Sequence, residues 1–146
     1  MKIIILFLFF FSIFAKEEIT FTYNETSQTL TISGNGILKS INKENINKWK
    51  TETKEILIQN GITQIGSMGL FTQWNISKVT IPSSIQLINN YTFANCKNLE
   101  EIVFEENSQL ETINFYAFRK CISLKQIVLP KSIRNIQFEK LFEKCN

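Results

Sequence analysis

Val79-Thr80-Ile81-Pro82-Ser83-Ser84-Ile85-Gln86-Leu87-Ile88-Asn89-Asn90-Tyr91-Thr92-Phe93-Ala94-Asn95-Cys96-Lys97-Asn98-Leu99 decides the fold, because its spacing of apolar residues recurs before and after it. Blocks of the form x-apolar-x-apolar stand at Glu55-Ile56-Leu57-Ile58, Lys78-Val79-Thr80-Ile81, Glu101-Ile102-Val103-Phe104 and Gln126-Ile127-Val128-Leu129, so that their starts are almost evenly spaced along the chain. Four residues after three of these blocks come Ile62, Ile85 and Ile133, while the third block takes six to reach Leu110. Ile65, Ile88, Ile113 and Ile136 follow, then Leu70, Phe93, Phe118 and Leu141. Gln73, Cys96, Cys121 and, one residue late, Cys145 come next, and Ile76, Leu99 and Leu124 close the units. One such unit cannot bury its apolar side alone, whereas stacked units share a continuous core.

The pattern therefore predicts an α/β repeat solenoid. Blocks of period two rich in β-branched residues should be parallel strands on one face. The return segments should be mostly irregular or short helical. Pro82 and Pro130 directly follow their strands, where a missing N–H ends a ladder at little cost. Four repeats fill residues 55–146, the last without its closing apolar residue.

Residues 16–54 do not match this spacing. Ile19-Thr20-Phe21-Thr22-Tyr23 and Gln28-Thr29-Leu30-Thr31-Ile32 alternate apolar and polar residues around a polar Asn24-Glu25-Thr26-Ser27, which reads as a β-hairpin. Ser33-Gly34-Asn35-Gly36 then breaks the strand. Such a hairpin suits an N-terminal cap over the open end of the solenoid, with Trp49 packed where cap meets first repeat.

Residues 1–15 have the layout of a secretory signal peptide: Lys2, an apolar run from Ile3 to Phe14 broken by Ser12, and Ala15 before Lys16-Glu17-Glu18. The run is too short to span a bilayer as a helix, which takes about 20 residues. The chain is expected to be secreted or held at the cell surface. Asn24-Glu25-Thr26, Asn75-Ile76-Ser77 and Asn90-Tyr91-Thr92 are then candidate glycosylation sequons.

Composition narrows the chemistry. The chain has 146 residues, a net charge of +3 and no His, and it also lacks Asp. Without His there is no Ser/His or Cys/His nucleophile pair and no imidazole metal ligand, and without Asp the acid-base choices shrink to Glu, Lys, Tyr and Cys. No catalytic residue, cofactor or metal site is expected. The basic residues are scattered among acidic ones, so nucleic acid is not an expected partner. Five Lys between Lys39 and Lys54 are interrupted by Glu44 and Glu52 and read as a solvated surface. Glu100-Glu101 and Glu105-Glu106 bracket a strand without the Asp-rich loop a calcium site uses.

With the repeat written out, the sequence resembles the BspA-type leucine-rich repeats found in surface proteins. Val79 to Leu99 looks like one full family unit, and Ile113 to Leu124 repeats its second half. The first unit departs by carrying Gln73 and Trp74 where Cys is expected. The resemblance implies extracellular display, adhesion and binding to protein partners, and it brings no set of invariant functional residues.

The binding positions expected from the repeat are the outward strand residues Glu55 and Leu57, Lys78 and Thr80, Glu101 and Val103, Gln126 and Val128, on the concave face. The middle column Leu57, Thr80, Val103, Val128 offers apolar area to a protein or glycoprotein partner. The same positions also read as plain cross-strand support, with Glu55, Lys78 and Glu101 offsetting one another. Cys96, Cys121 and Cys145 are expected as a buried column, with one disulfide between neighbouring units as the alternative. A purely structural stalk or coat segment of a longer surface protein is the alternative function. The uncapped last repeat should fray, or self-associate, through Ile127, Leu129 and Phe142.

Overall fold

The structure, a computed structural model, describes residues 18–41, 44–66, 68–136 and 138–145. The expected leader, residues 1–15, lies outside them. Among the described residues the chain winds as a solenoid with two five-stranded sheets.

The first sheet holds Thr20–Asn24 (β1), Thr29–Ser33 (β2), Glu55–Ile58 (β4), Lys78–Ile81 (β6) and Glu101–Phe104 (β8), in that order. The second runs from Gly36–Leu38 (β3) through Ile62–Ile65 (β5), Leu87–Ile88 (β7) and Thr112–Ile113 (β9) to Asn135–Ile136 (β10). Every pairing is parallel except β1 with β2. The return segments thus contribute a sheet of their own, which the spacing of Ile65, Ile88 and Ile113 marked only as buried positions. Among the described residues two short helices, Ile46–Glu52 (α1) and Phe138–Leu141 (α2), occur on the return path.

The winding begins before the sequence periodicity does. β2 pairs in register with β4, Leu30 opposite Ile56 and Ile32 opposite Ile58, and β3 pairs with β5. Residues 29–54 therefore make a turn of the coil, and Ser33-Gly34-Asn35-Gly36 is the corner that carries the chain from one sheet to the other. The alternation of Thr29-Leu30-Thr31-Ile32 is that of Glu55-Ile56-Leu57-Ile58; only the return differs, because α1 replaces the usual loop. Trp49 lies buried on α1 with its ring 6.0 Å from Phe21 and 6.4 Å from Tyr23, so β1 packs its apolar side on this first turn.

Inside, equivalent side chains stack turn upon turn. Phe71, Phe93, Phe118 and Phe142 form a spine with near-parallel rings at centroid spacings of 5.3, 5.7 and 5.9 Å. The expected column had Leu70 and Leu141 at its ends. Backbone bonds Phe71 N–H to Thr92 O and Phe118 N–H to Leu141 O put the next residue, Phe71 or Phe142, in line instead. Three residues on, Trp74, Cys96, Cys121 and Cys145 donate backbone N–H to the carbonyl of the Phe of their own turn, so Trp74 is the first unit's counterpart of the Cys and Cys145 is in register.

Polar atoms at the turns are tied up by repeating side-chain bonds. Ser84 Oγ donates to Ile62 O at 2.7 Å, Ser132 Oγ to Leu110 O at 2.8 Å, and Asn89 Nδ2 to Gly66 O at 2.7 Å. Each satisfies a carbonyl that the ladders leave over. The return loops also need left-handed backbone: Tyr91 and Asn95 have φ of 57° and 59°, and Tyr116 and Lys120 repeat this at 61° and 58°.

The fourth expected strand is a correction. Gln126–Leu129 is not part of a strand, and the first sheet ends at β8. Ile127 and Leu129 still pack on the core, while Val128 is 81 % exposed. The alternation fixes which side chains face inward, but the ladder to β8 does not close.

Candidate functional site: the outward face of the first sheet

Period-two alternation sends Ile56 and Ile58, Val79 and Ile81, and Ile102 into the core, and so turns the intervening side chains outward. The register then arranges these in rows across the sheet. Glu55, Lys78 and Glu101 are directly aligned, as are Leu57, Thr80 and Val103. Six of the eight expected site residues are thus brought together. Gln126 and Val128 are exposed but lie outside the sheet, so they do not extend these rows.

Two further rungs belong to the same face. Thr31 pairs with Leu57 and Thr22 with Thr31, so one row runs Thr22, Thr31, Leu57, Thr80, Val103. Asn24 and Thr29 likewise precede Glu55 in the charged row. The alternation in Thr29-Leu30-Thr31-Ile32 carried the signal for these positions; the mismatch of the following return segment hid it.

The two rows have different electrostatics. Lys78 Nζ lies 3.4 Å from Glu101 Oε2 and 3.9 Å from Glu55 Oε1, so the cation is shared between two carboxylates one strand away on either side. These groups are well exposed, and such pairs add little net stability in water. Lys78 offsets part of the carboxylate charge along that edge and leaves the row negative. The adjoining row of methyl and hydroxyl groups carries no charge and is half-buried at Leu57, Thr80 and Val103.

At the end of the charged face, Glu105 Oε2 accepts from Asn60 Nδ2 and from Ser83 N–H, each at 3.2 Å, while Asn60 Oδ1 accepts from Ser83 Oγ and Ser84 N–H. These corner residues hold one another. On the second sheet, a shallow cleft of about 260 Å³ is lined by Thr112, Asn114, Phe115, Arg134 and Asn135 among others. It offers amides, one guanidinium and the Thr112 hydroxyl. Among the described residues no group of three His, Cys, Asp or Glu is placed to hold a metal ion, and no helix is long and apolar enough to cross a membrane.

The three cysteines are free thiols in one column. Cys96 Sγ donates to Phe71 O at 3.0 Å, Cys121 Sγ to Phe93 O at 3.2 Å and Cys145 Sγ to Phe118 O at 3.0 Å. Each thiol ties its turn to the preceding one. Burial pushes Cys96 up to about 12 from an ordinary value of 9.0, and also raises Cys121 and Cys145. The reactive thiolate is therefore suppressed near neutrality.

The same shift sets a pH dependence. The folded state keeps its proton while the unfolded thiol loses it, so this contribution to stability is intact below pH 9 and is lost as the pH rises toward about 12. A disulfide-exchange reagent at pH 8 is expected to label the native chain slowly, with the half-buried Cys145 first, and to label all three thiols promptly in denaturant. Three equally fast native thiols, counted by absorbance, would contradict the buried column.

A parallel strand from each turn, a short return path and apolar columns that recur once per winding together define a leucine-rich-repeat solenoid. The chain belongs to the BspA-type leucine-rich-repeat family: the family description "BspA type Leucine rich repeat region" matches residues 16–146 in six copies, including the stretch whose spacing differs. The fold is similar to that of a leucine-rich repeat protein from Eubacterium ventriosum, at 26 % identity and a TM-score of 0.61 over 82 % of this chain and 37 % of that one. It is also similar in fold to a leucine-rich repeat protein from T. pallidum, at 20 % identity and a TM-score of 0.53, over 80 % of this chain and 49 % of that one. This chain thus spans less than half the length of either structure. No curated protein matches the sequence.

Proposed function

We propose that the chain is a secreted or surface-displayed recognition module, without catalysis of its own, that binds a protein or glycoprotein through the outward face of its first sheet. The observation that carries this reading is the uncharged row Thr31, Leu57, Thr80, Val103, set at strand spacing beside a row in which Lys78 is shared between Glu55 and Glu101. An uncharged strip of methyl and hydroxyl groups is a surface a protein can cover while the charged row stays at its border. Membership of a family associated with surface proteins and the layout of residues 1–15 support export. In this reading the β1–β2 hairpin closes one end of the stack.

Labelled protein is expected to bind intact cells or immobilised matrix proteins saturably. Val103→Lys and Leu57→Lys, both outward-facing, are expected to weaken that binding by tenfold or more, about 1.4 kcal/mol, while leaving circular dichroism unchanged. Unaltered binding by two folded variants would remove this face from consideration. A second reading, a structural segment of a longer surface stalk, is favoured by the share of the solved relatives that this chain spans. That reading predicts no saturable binding by the isolated chain.

A further inference from the structure

The sequence offers three N-x-[ST] acceptors, and the fold treats them very differently. Asn24 is exposed at the end of β1, in the edge strand of the first sheet. Its Oδ1 accepts N–H bonds from Thr26 and Ser27, both at 3.0 Å, which turns Nδ2 away from the hairpin with no partner among the described residues. Thr26 is exposed, and the middle residue Glu25 is held aside by Lys48 Nζ at 2.6 Å.

Asn75 is committed instead. Its Nδ2 donates to Thr51 O at 2.8 Å and its Oδ1 accepts from Asn98 Nδ2, so the amide is the link between three successive turns. A sugar on Nδ2 would crowd that ladder. In the third acceptor the hydroxyl is the obstacle: Thr92 is fully buried and donates to Asn89 O at 2.8 Å, and the Asn90 Oδ1 is itself buried.

We infer that Asn24 is the N-glycosylation site of the folded protein and that Asn75 and Asn90 stay unmodified in it. In the transfer the Asn24 Nδ2 forms a bond to the anomeric carbon of a lipid-pyrophosphate-linked oligosaccharide. The bond from that carbon to the pyrophosphate oxygen breaks, the lipid pyrophosphate leaves, and the amide gives up one proton. Placed on β1, the edge strand of the first sheet among the described residues, the glycan would hinder edge-to-edge strand pairing there. It also borders the row of Asn24, Thr29 and Glu55, and so limits how far a partner reaches across the face.

The inference rests on the reading of the chain as secreted, and the test separates the two. The full chain is produced in a eukaryotic secretory host twice, once with its own leader and once with that leader replaced by a proven cleavable one. Enzymatic deglycosylation in heavy-oxygen water followed by peptide mass spectrometry marks each occupied Asn. From the replaced leader, the secreted protein is expected to carry one glycan, at Asn24. That glycan is lost in Asn24→Gln and in Thr26→Ala, the second of which keeps both Asn24 Oδ1 bonds, and it is retained in Asn75→Gln and Asn90→Gln. Secreted protein occupied at Asn75 or Asn90, or bare at Asn24, overturns the inference. Failure of the native leader alone overturns the secretion reading and leaves the site assignment intact.

Discussion

Replacing Phe93 with alanine is expected to destabilise the protein by about 3–5 kcal/mol, the range for emptying a buried aromatic site. Phe93 is fully buried and is stacked on both faces, by Phe71 at 5.3 Å and by Phe118 at 5.7 Å. Its loss removes two ring contacts, each about 0.5–1.5 kcal/mol beyond area burial. It also takes away a wall against which Cys121 Sγ reaches the Phe93 carbonyl. In a linear array each turn is stabilised by its neighbours, so a defect in the middle uncouples the two halves. The melting curve of Phe93→Ala should therefore shift down by roughly 10 °C, converting a stability loss of this size for a chain of this length, and should separate into two steps. A single cooperative transition at the wild-type temperature would show that the spine contributes nothing.

A comparable loss is expected from Gly61→Ala, for a different reason. Gly61 turns the corner from β4 to β5 with φ of 108°, a conformation that side-chain-bearing residues rarely adopt. A Cβ there would sit 2.5 Å from the Gly34 carbonyl oxygen and 2.5 Å from Asn35 Oδ1, and the former, being backbone of the preceding corner, cannot swing aside. Gly61 O also accepts the Gly36 N–H at 2.9 Å, and its own N–H donates to Ser84 Oγ at 3.1 Å, so the corner links three turns. Conformational strain of about 1–3 kcal/mol adds to an overpacking cost of similar size. Urea titration should place the midpoint well below that of wild type, and a variant within about 0.5 kcal/mol of wild type would contradict the tight corner.

The strands β4, β6 and β8 were legible because alternation and β-branching are local signals, and the rows of Glu55, Lys78 and Glu101 follow once the blocks are aligned. The same local signal over-reached at Gln126–Leu129, where inward and outward positions are respected but the ladder is not made. Alternation specifies orientation; it does not specify the backbone bonds between turns that make a ladder. At Thr29–Ser33 it found the strand and its hairpin partner but not the place of that strand in the coil, because the chain then feeds a helix containing Trp49 where later turns have a loop. Counting from the start of the apolar run also missed the Phe spine at its two ends by one residue, since Leu70-Phe71 and Leu141-Phe142 each offer two apolar occupants. Backbone bonding between turns decides that choice, and no spacing rule within one turn contains it.

The third unit is longer by two than the pair before it, and the excess is absorbed at the corner after β8, where Asn107 adopts a left-handed φ of 56°. Glu105 N–H still bonds Ile81 O before the insertion and Gln109 N–H still bonds Ser83 O after it. Length variation is thus quarantined at a bend while the stacking frame is kept. A corner absorbs a change of length that a strand cannot: a single insertion inside β4 or β6 would rotate every side chain downstream in that strand from core to water.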